Sequence, residues 1–130
     1  MAGATINREE AVYFLTGVVR GHHIYQAVWT SSLEEVLPLS TEDGNDHDRF
    51  AVCVKRREEI VGHIPREISR KIWHFLRHGG RSTCEITARR KRGNGLEVPC
   101  VYRFVGKRKL IEKLEALLPP KTSLAQSCPF

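Results

Sequence analysis

A charged turn between two short apolar segments is the feature that most constrains the fold of this chain. Residues 50–54 and 60–64 are rich in β-branched side chains, and the polar residues 55–59 separate them. Segments of this length and composition around a polar turn predict a β-hairpin. An isolated hairpin is only marginally stable in water, so this one requires further strands that cover or close its edges.

The sequence before the hairpin predicts those further strands. Residues 12–19 combine β-branched and aromatic side chains, as a buried strand does. The pattern breaks at Gly21, where a bulge or bend is predicted, and resumes over residues 24–29. Residues 34–39 predict a short strand, which Pro38 should confine to a sheet edge or a bulge.

A second hairpin is predicted after residue 80. Residues 83–89 and 96–104 alternate as strands do, and Gly93-Asn94-Gly95 joins them. A glycine-rich segment before a helix could cradle a phosphate, but between two strands it favours a hairpin turn.

Two helices complete the predicted elements. Pro65 suits a first helical turn, apolar residues then recur at three- and four-residue spacing, and Gly79 ends the pattern. Similar spacing from Leu110 predicts a second helix that ends before Pro119. We therefore expect a mainly β fold with two helices, built as a small bent barrel of the OB-like or SH3-like kind.

Length and composition predict one soluble domain. The chain has 130 residues, which suits a single core. Residues 12–118 should form this domain, residues 1–11 an N-terminal extension, and residues 119–130 a tail whose composition is compatible with disorder. Because no apolar segment is long enough to span a bilayer and no secretion signal opens the chain, we expect an intracellular protein without a membrane partner. The four cysteines show no paired spacing and should be free thiols.

Charge is distributed unevenly along the chain. The net charge is +6, which favours partners of negative charge. Residues 79–113 hold ten basic residues against three glutamates, whereas residues 31–48 hold six acidic residues and no Lys or Arg. The sequence thus predicts opposed electrostatic faces.

Familiar catalytic motifs are absent from the sequence. It contains no GxGxxG after a strand, no GxxxxGK[ST], no HExxH and no GxSxG, so we expect a binding protein without a cofactor or a small-molecule substrate. His74 and His78 stand four apart on the predicted helix, as two metal ligands do, but no third ligand is evident and a solvated helix face is favoured.

Basic residues interleaved with aromatic residues are typical of proteins that bind single-stranded nucleic acid, because phosphates require cations and exposed bases require flat faces. The alternative is that most aromatic side chains of so small a domain lie in its core. The aromatic residues concerned are Tyr13, Tyr25, Trp29, Trp73, Tyr102 and Phe104.

Two segments in the middle of the chain resemble the HIRAN domain. Residues 43–52 (DGNDHDRFAV) and 61–67 (VGHIPRE) follow the order of that family's polar loop, first hairpin and helix start. The similarity extends from about residue 18 to residue 118, and Pro99 with residues 102–107 resembles the closing strand. The resemblance implies an OB-like module that binds single-stranded DNA at its 3′-hydroxyl end, in the nucleus and in DNA repair. Remodelling of DNA would then require a helicase or nuclease partner.

The resemblance also assigns roles to individual residues. Asp48 matches the position that accepts a hydrogen bond from the terminal hydroxyl, and Asn45 and His63 match positions beside the sugar-phosphate backbone. Arg66 matches a basic position at the helix start that contacts phosphate, and Phe104 matches an aromatic position near the bases. The alternatives are a turn residue for Asp48, a backbone-bonded histidine for His63, a solvated cation for Arg66 and a core position for Phe104.

This sequence departs from the family pattern around the terminal base. Ile24 and His47 stand where aromatic residues enclose that base, and only neutral His47 can stack. His23 stands where an arginine would contact phosphate, and Tyr25 beside it supplies an aromatic face. A second hypothesis is therefore a protein-interaction adaptor that keeps the barrel without DNA-end specificity.

Overall fold

The computed structural model describes residues 9–20, 34–88 and 97–119. In these segments the chain forms six strands and two helices. The strands are β1 (Glu10–Val19), β2 (Val36–Thr41), β3 (Val52–Arg56), β4 (Glu59–His63), β5 (Arg81–Ile86) and β6 (Val98–Lys107). The helices are α1 (Arg66–Arg77), between β4 and β5, and α2 (Arg108–Leu117), after β6. The predicted class, mainly β with two helices, is confirmed.

All six strands belong to one antiparallel sheet with the order β1-β6-β5-β2-β3-β4. The sheet bends so far that its two edge strands meet at one point. There Arg20, directly after β1, and His63, the last residue of β4, exchange backbone hydrogen bonds of 2.7 and 2.8 Å. In the described segments no longer ladder joins β1 to β4, so the sheet is a strongly bent, OB-like layer rather than a fully closed barrel.

Pro38 lies in an internal strand, so its predicted place at a sheet edge is wrong. Residues Val36–Pro38 of β2 pair with β5, whereas Leu39–Thr41 pair with β3. Pro38 is the last residue that pairs with β5, and the ladder to β3 starts one residue later. Proline is tolerated because its missing N–H is not required on the β3 side at that position.

The first predicted hairpin is confirmed. Strands β3 and β4 pair across a two-residue turn, in which Arg57 and Glu58 have φ values of 52° and 71°. Both residues therefore occupy the left-handed region, as a type I′ turn requires. The predicted pairing of the last two strands is also confirmed, since β5 pairs with β6 from Arg81 to Ile86. Its predicted Gly93-Asn94-Gly95 turn lies outside the described residues, as does the strand predicted at 24–29.

Both predicted helices are confirmed. Pro65 precedes the first residue of α1, and Ile72 and Phe75 are buried on the face that packs on the sheet. Gly79 has a φ of +99°, which ends the helix in a conformation that favours glycine. On the other helix, α2, Ile111 and Leu114 are buried, and the Tyr13 hydroxyl donates to the Leu118 carbonyl at 2.5 Å, which fastens the helix end to β1.

The core lies between the bent sheet and the inner faces of the two helices. Three of the predicted free thiols, Cys53, Cys84 and Cys100, are confirmed as free and buried. A hydrogen bond with Cys100, reinforced by burial, raises the pKa of the Cys84 thiol far above its usual value. These cysteines thus act as small apolar side chains. Among the described residues no helix is long and apolar enough to cross a membrane.

Candidate functional site

A cleft of about 200 Å³ opens where the loop between β2 and β3 meets the end of β4 and the first turn of α1. It is smaller than the roughly 300–1,000 Å³ of most small-molecule sites, so it suits one end of a ligand rather than a whole one. The cleft brings together five of the residues predicted as a site from the sequence. These are Asn45, His47, Asp48, His63 and Arg66.

Asn45 shapes the loop through its side chain. Its Oδ1 accepts hydrogen bonds from the backbone N–H groups of His47 at 2.8 Å and Asp48 at 3.0 Å. An asparagine that bonds the backbone two and three residues ahead forms an Asx-type turn, which sets the direction of the following residues. His47 is exposed at the tip of this turn, whereas Asp48 points back towards the cleft.

Glu42 joins the two sides of the cleft. Its Oε1 accepts hydrogen bonds from Asn45 Nδ2 at 3.1 Å and from His63 Nε2 at 2.6 Å. Burial raises the pKa of Glu42, but these two hydrogen bonds and the nearby positive charges outweigh burial and hold the pKa below its usual value. Sequence patterns do not indicate this role, because Glu42 and His63 lie 21 residues apart and only the pairing of β2, β3 and β4 brings them together.

Glu42→Gln should reduce the free energy of unfolding near neutral pH by about 1.5 kcal/mol, the low end for hydrogen bonds to a charged group. Since the pKa of Glu42 is lower in the folded state, this contribution is complete above its unfolded pKa near 4.5 and disappears as pH falls through the folded value. Urea unfolding of both proteins between pH 3 and pH 7 measures the difference. If the difference in the free energy of unfolding between the two proteins stays constant down to pH 3, the charge of Glu42 does not contribute to stability.

Asp48 has one oxygen committed to the fold and one turned to the cleft. Its Oδ1 accepts a 3.0 Å hydrogen bond from the backbone N–H of Phe50, which confirms the turn role considered from the sequence. Its Oδ2 lies 3.8 Å from Nε of Arg66, beyond hydrogen-bond distance. The side chain is about a quarter exposed, at 24%. The carboxylate is therefore held in position and keeps an oxygen that can accept a further hydrogen bond.

Arg66 lies at the first turn of α1 and is 73% exposed. Its guanidinium donates to the carbonyl of His47 at 3.2 Å, which keeps the cation beside the loop. The helix begins after Pro65, whose side chain cannot cap it, and no side-chain hydrogen bond caps the start of the helix among the described residues. A cation beside an uncapped helix N-terminus provides a favourable place for an anion.

Of the four other predicted site residues, one lies in the core and three lie outside the described residues. Phe104 is fully buried, packed on Tyr13 and Phe75 with ring centroids 6.3 and 5.6 Å away. It offers no face to a base, so its prediction as a binding residue is wrong and the core alternative is the one observed. His23, Ile24 and Tyr25 lie outside the described residues.

Basic groups lie beside most carboxylates of the predicted acidic face. Glu35 lies 3.2 Å from Arg56, and Asp43 lies 3.6 Å from Arg77. Glu42 likewise contacts His63, and Asp48 lies near Arg66. Four of the six carboxylates of residues 31–48 therefore have a basic group beside them. In the part of the chain that the structure describes, no cluster of three or more His, Cys, Asp or Glu side chains could hold a metal ion.

Comparison with solved structures identifies the fold. The crystal structure of the HIRAN domain of human HLTF matches with a TM-score of 0.68, over 85% of this chain and 90% of that chain, at 19% sequence identity. The chain has the HIRAN fold. An NMR structure of the same HLTF domain matches with a TM-score of 0.66, over 85% of this chain and 89% of the other, at 18% identity.

A protein from Lactobacillus plantarum shares the HIRAN-like architecture more loosely, with a TM-score of 0.58, 20% identity, and coverage of 74% of this chain and 97% of that one. No protein-family model and no curated protein matches the sequence. The likeness is therefore one of fold, and it agrees with the order of the motifs in the sequence.

Proposed function

We propose that this chain is a DNA-binding module that holds the 3′-hydroxyl end of a single strand in the cleft. The observation that carries the proposal is that five residues from two separate segments, singled out from the sequence, converge on one small concave site. The proposal includes no catalytic step, since the site combines hydrogen-bond acceptors, a cation and a helix start that suit binding.

Asp48 supplies the chemistry that distinguishes a hydroxyl end. The Oδ2 atom faces the cleft with no hydrogen bond from the described residues, so it can accept the hydrogen of a terminal hydroxyl. The same negative charge repels a terminal phosphate. Since the loop holds Oδ1 on the Phe50 N–H, the carboxylate does not need to reorganise when the strand binds.

Arg66 and the start of α1 supply the chemistry that holds the backbone of the strand. The cation and the helix dipole both favour the phosphate that precedes the terminal nucleotide. His47 is exposed at the rim and in its neutral form can stack on a base. His63 is held by Glu42 with its ring at the wall of the cleft.

The adaptor hypothesis finds less support in the described residues. Three carboxylates of its acidic segment, those of Glu35, Glu42 and Asp43, are paired with basic side chains of the chain itself, which leaves less unpaired negative charge there for a partner. A nuclear location, and a helicase or nuclease partner that acts on the bound end, remain part of the DNA-end proposal. Imaging of a tagged chain tests the location.

Fluorescence anisotropy with three labelled DNAs tests the proposal. The first DNA is a single strand with a 3′-hydroxyl, the second is the same strand with a 3′-phosphate, and the third is a blunt duplex of the same sequence. The proposal requires the tightest binding for the 3′-hydroxyl single strand. Equal affinity for all three would leave only general attraction between a basic protein and DNA, and no binding at all would favour the adaptor.

Arg66→Ala should weaken single-strand binding for every base sequence, because a phosphate contact carries no base information. If the native chain contacts two or three phosphates, the slope of log affinity against log salt concentration should be roughly −1.4 to −2.1. Arg66→Ala should make this slope shallower by about 0.7, because one phosphate contact is lost. Lys109→Ala, an exposed cation on α2 that does not line the cleft, is the matched control and should keep the native slope. A loss confined to one base would contradict the phosphate role.

A further inference from the structure

A groove of about 510 Å³ runs between α1 and α2, and it shares no lining residue with the cleft. Its apolar floor is formed by Phe75 from α1 and by Leu110, Leu114 and Leu117 from α2. Leu117 is 44% exposed, which is high for a leucine beside other apolar side chains. An apolar surface of this kind, bordered by polar groups, is typical of an interaction site.

The rim of the groove is basic on both sides. Arg70, Lys71, His74 and His78 border it along α1, and Lys113 borders it along α2. Among the described residues, no aspartate or glutamate lines the groove. An occupant therefore meets apolar contacts in the centre and positive charge at the edges.

The cations of the rim are not neutralised by the described part of the chain. No described carboxylate lies within 4.0 Å of Arg70, Lys71 or Lys113, whereas other arginines of the domain, such as Arg56 and Arg81, form ion pairs of 3.2 and 3.0 Å. Lys71 Nζ lies 3.4 Å from the carbonyl of Leu117, and the Arg70 guanidinium lies 5.0 Å from the centre of the Phe50 ring. Both contacts leave the positive charge available to a negative partner.

The contacts of the two helices indicate that they run in roughly opposite directions. Lys71, in the middle of α1, contacts Leu117 at the end of α2, while Phe75, near the end of α1, and Leu110 lie together beside Gly106, where α2 begins. With 12 and 10 residues, the helices are about 18 and 15 Å long. In the described segments the groove is lined only by residues 70–78 and 110–117, about 10–12 Å along each helix, so it offers room for about two turns of a further helix laid along it.

We propose that this groove binds an amphipathic helix of a partner protein, in which acidic residues flank an apolar stripe. Leucine or phenylalanine side chains of the partner pack on the floor, and its carboxylates meet the basic rim. A second copy of the chain that presented the same face would be repelled by like charge. Nucleic acid fits less well, because the exposed part of the described floor is aliphatic: Phe75 is only 3% exposed, whereas Leu117 is 44% exposed.

The test uses the full chain and a labelled peptide of about 18 residues, or five helical turns. The peptide has leucines at i, i+4 and i+7 positions and glutamates on the other faces. Two control peptides replace all glutamates by lysine or all leucines by serine. The native chain should bind the glutamate–leucine peptide at least about tenfold more tightly than either control, since each control removes one of the two complementary features.

Substitutions in the rim and floor locate the binding. Lys71→Glu combined with Lys113→Glu should lower the affinity for the glutamate–leucine peptide by about tenfold. Leu117→Glu, at an exposed position that should tolerate the change, should lower it by a similar factor. Lys109→Glu on the outer face of α2 is the matched control and should leave the affinity within about twofold. Circular dichroism verifies that each variant is folded.

Three results would overturn the proposal. The first is that the native chain does not bind the glutamate–leucine peptide. The second is that the lysine peptide binds with the same affinity, and the third is that the groove variants bind with the affinity of the Lys109→Glu control. Sedimentation of the native chain gives an independent check: a dimer that Leu117→Glu dissociates would show that a second copy occupies the groove. None of these measurements depends on DNA, so failure of the groove proposal leaves the cleft proposal intact, and the reverse also holds.

Discussion

Asp48→Ala is expected to lower the affinity for a 3′-hydroxyl single strand by about tenfold to more than a hundredfold, because it removes a charge-assisted hydrogen bond worth roughly 1.5–3 kcal/mol. The variant should also discriminate less between 3′-hydroxyl and 3′-phosphate ends. Removing the carboxylate removes its repulsion of the phosphate together with its attraction for the hydroxyl. Anisotropy titrations of both strands measure the two effects.

Two further variants separate recognition from the turn role of Asp48. Asp48→Asn keeps an oxygen that can accept the Phe50 N–H but loses the negative charge, so it should preserve the loop and still reduce the discrimination between ends. Asp46→Ala removes the same charge from an exposed position in the same loop, and it should keep the native ratio of the affinities for the 3′-hydroxyl and 3′-phosphate strands. If Asp48→Asn also keeps that ratio, Asp48 serves the turn alone.

The elements that the sequence predicted correctly depend on local signals. Pro65, the apolar spacing up to Phe75 and Gly79 together define α1 without any knowledge of the rest of the chain. Two short segments rich in β-branched residues around a polar turn likewise define β3 and β4. Pro38 predicts an edge or a bulge because the sequence does not show that β2 changes partners in its middle. That change makes an internal strand compatible with proline.

The site was predictable in part. The motif order placed Asn45, Asp48 and His63 in one site through a resemblance, and the structure brings them to one cleft. Glu42 was missed because its role depends on a contact between the loop after β2 and the end of β4. Phe104 was ambiguous because strand alternation allows either face, and only the packing of β6 against α1 shows that this side chain lies in the core.

Gly62 connects the fold to the site, because it allows the two edge strands to meet. A Cβ atom at this position would lie 3.0 Å from the Arg20 carbonyl oxygen and would overlap the side chain of Val19, which is fully buried and has no room to move. That carbonyl accepts the 2.8 Å hydrogen bond from the backbone N–H of His63. Glycine is therefore required for a close backbone approach, next to the residue that contributes its ring to the cleft.

Gly62→Ala should reduce the free energy of unfolding by about 1–3 kcal/mol, the usual cost of overpacking a well-packed core. It should also speed amide hydrogen exchange at Arg20 and His63, whose mutual hydrogen bonds depend on that close approach. Gly44→Ala is the matched control: its φ of +84° strains alanine, but no atom of the described residues lies within 4 Å of the added Cβ, so exchange at Arg20 and His63 should not change. Urea unfolding and exchange measured by NMR give both quantities. If Gly62→Ala loses stability without faster exchange at these two amides, the strain is relieved elsewhere, and the bridge between β1 and β4 does not hold His63 at the cleft.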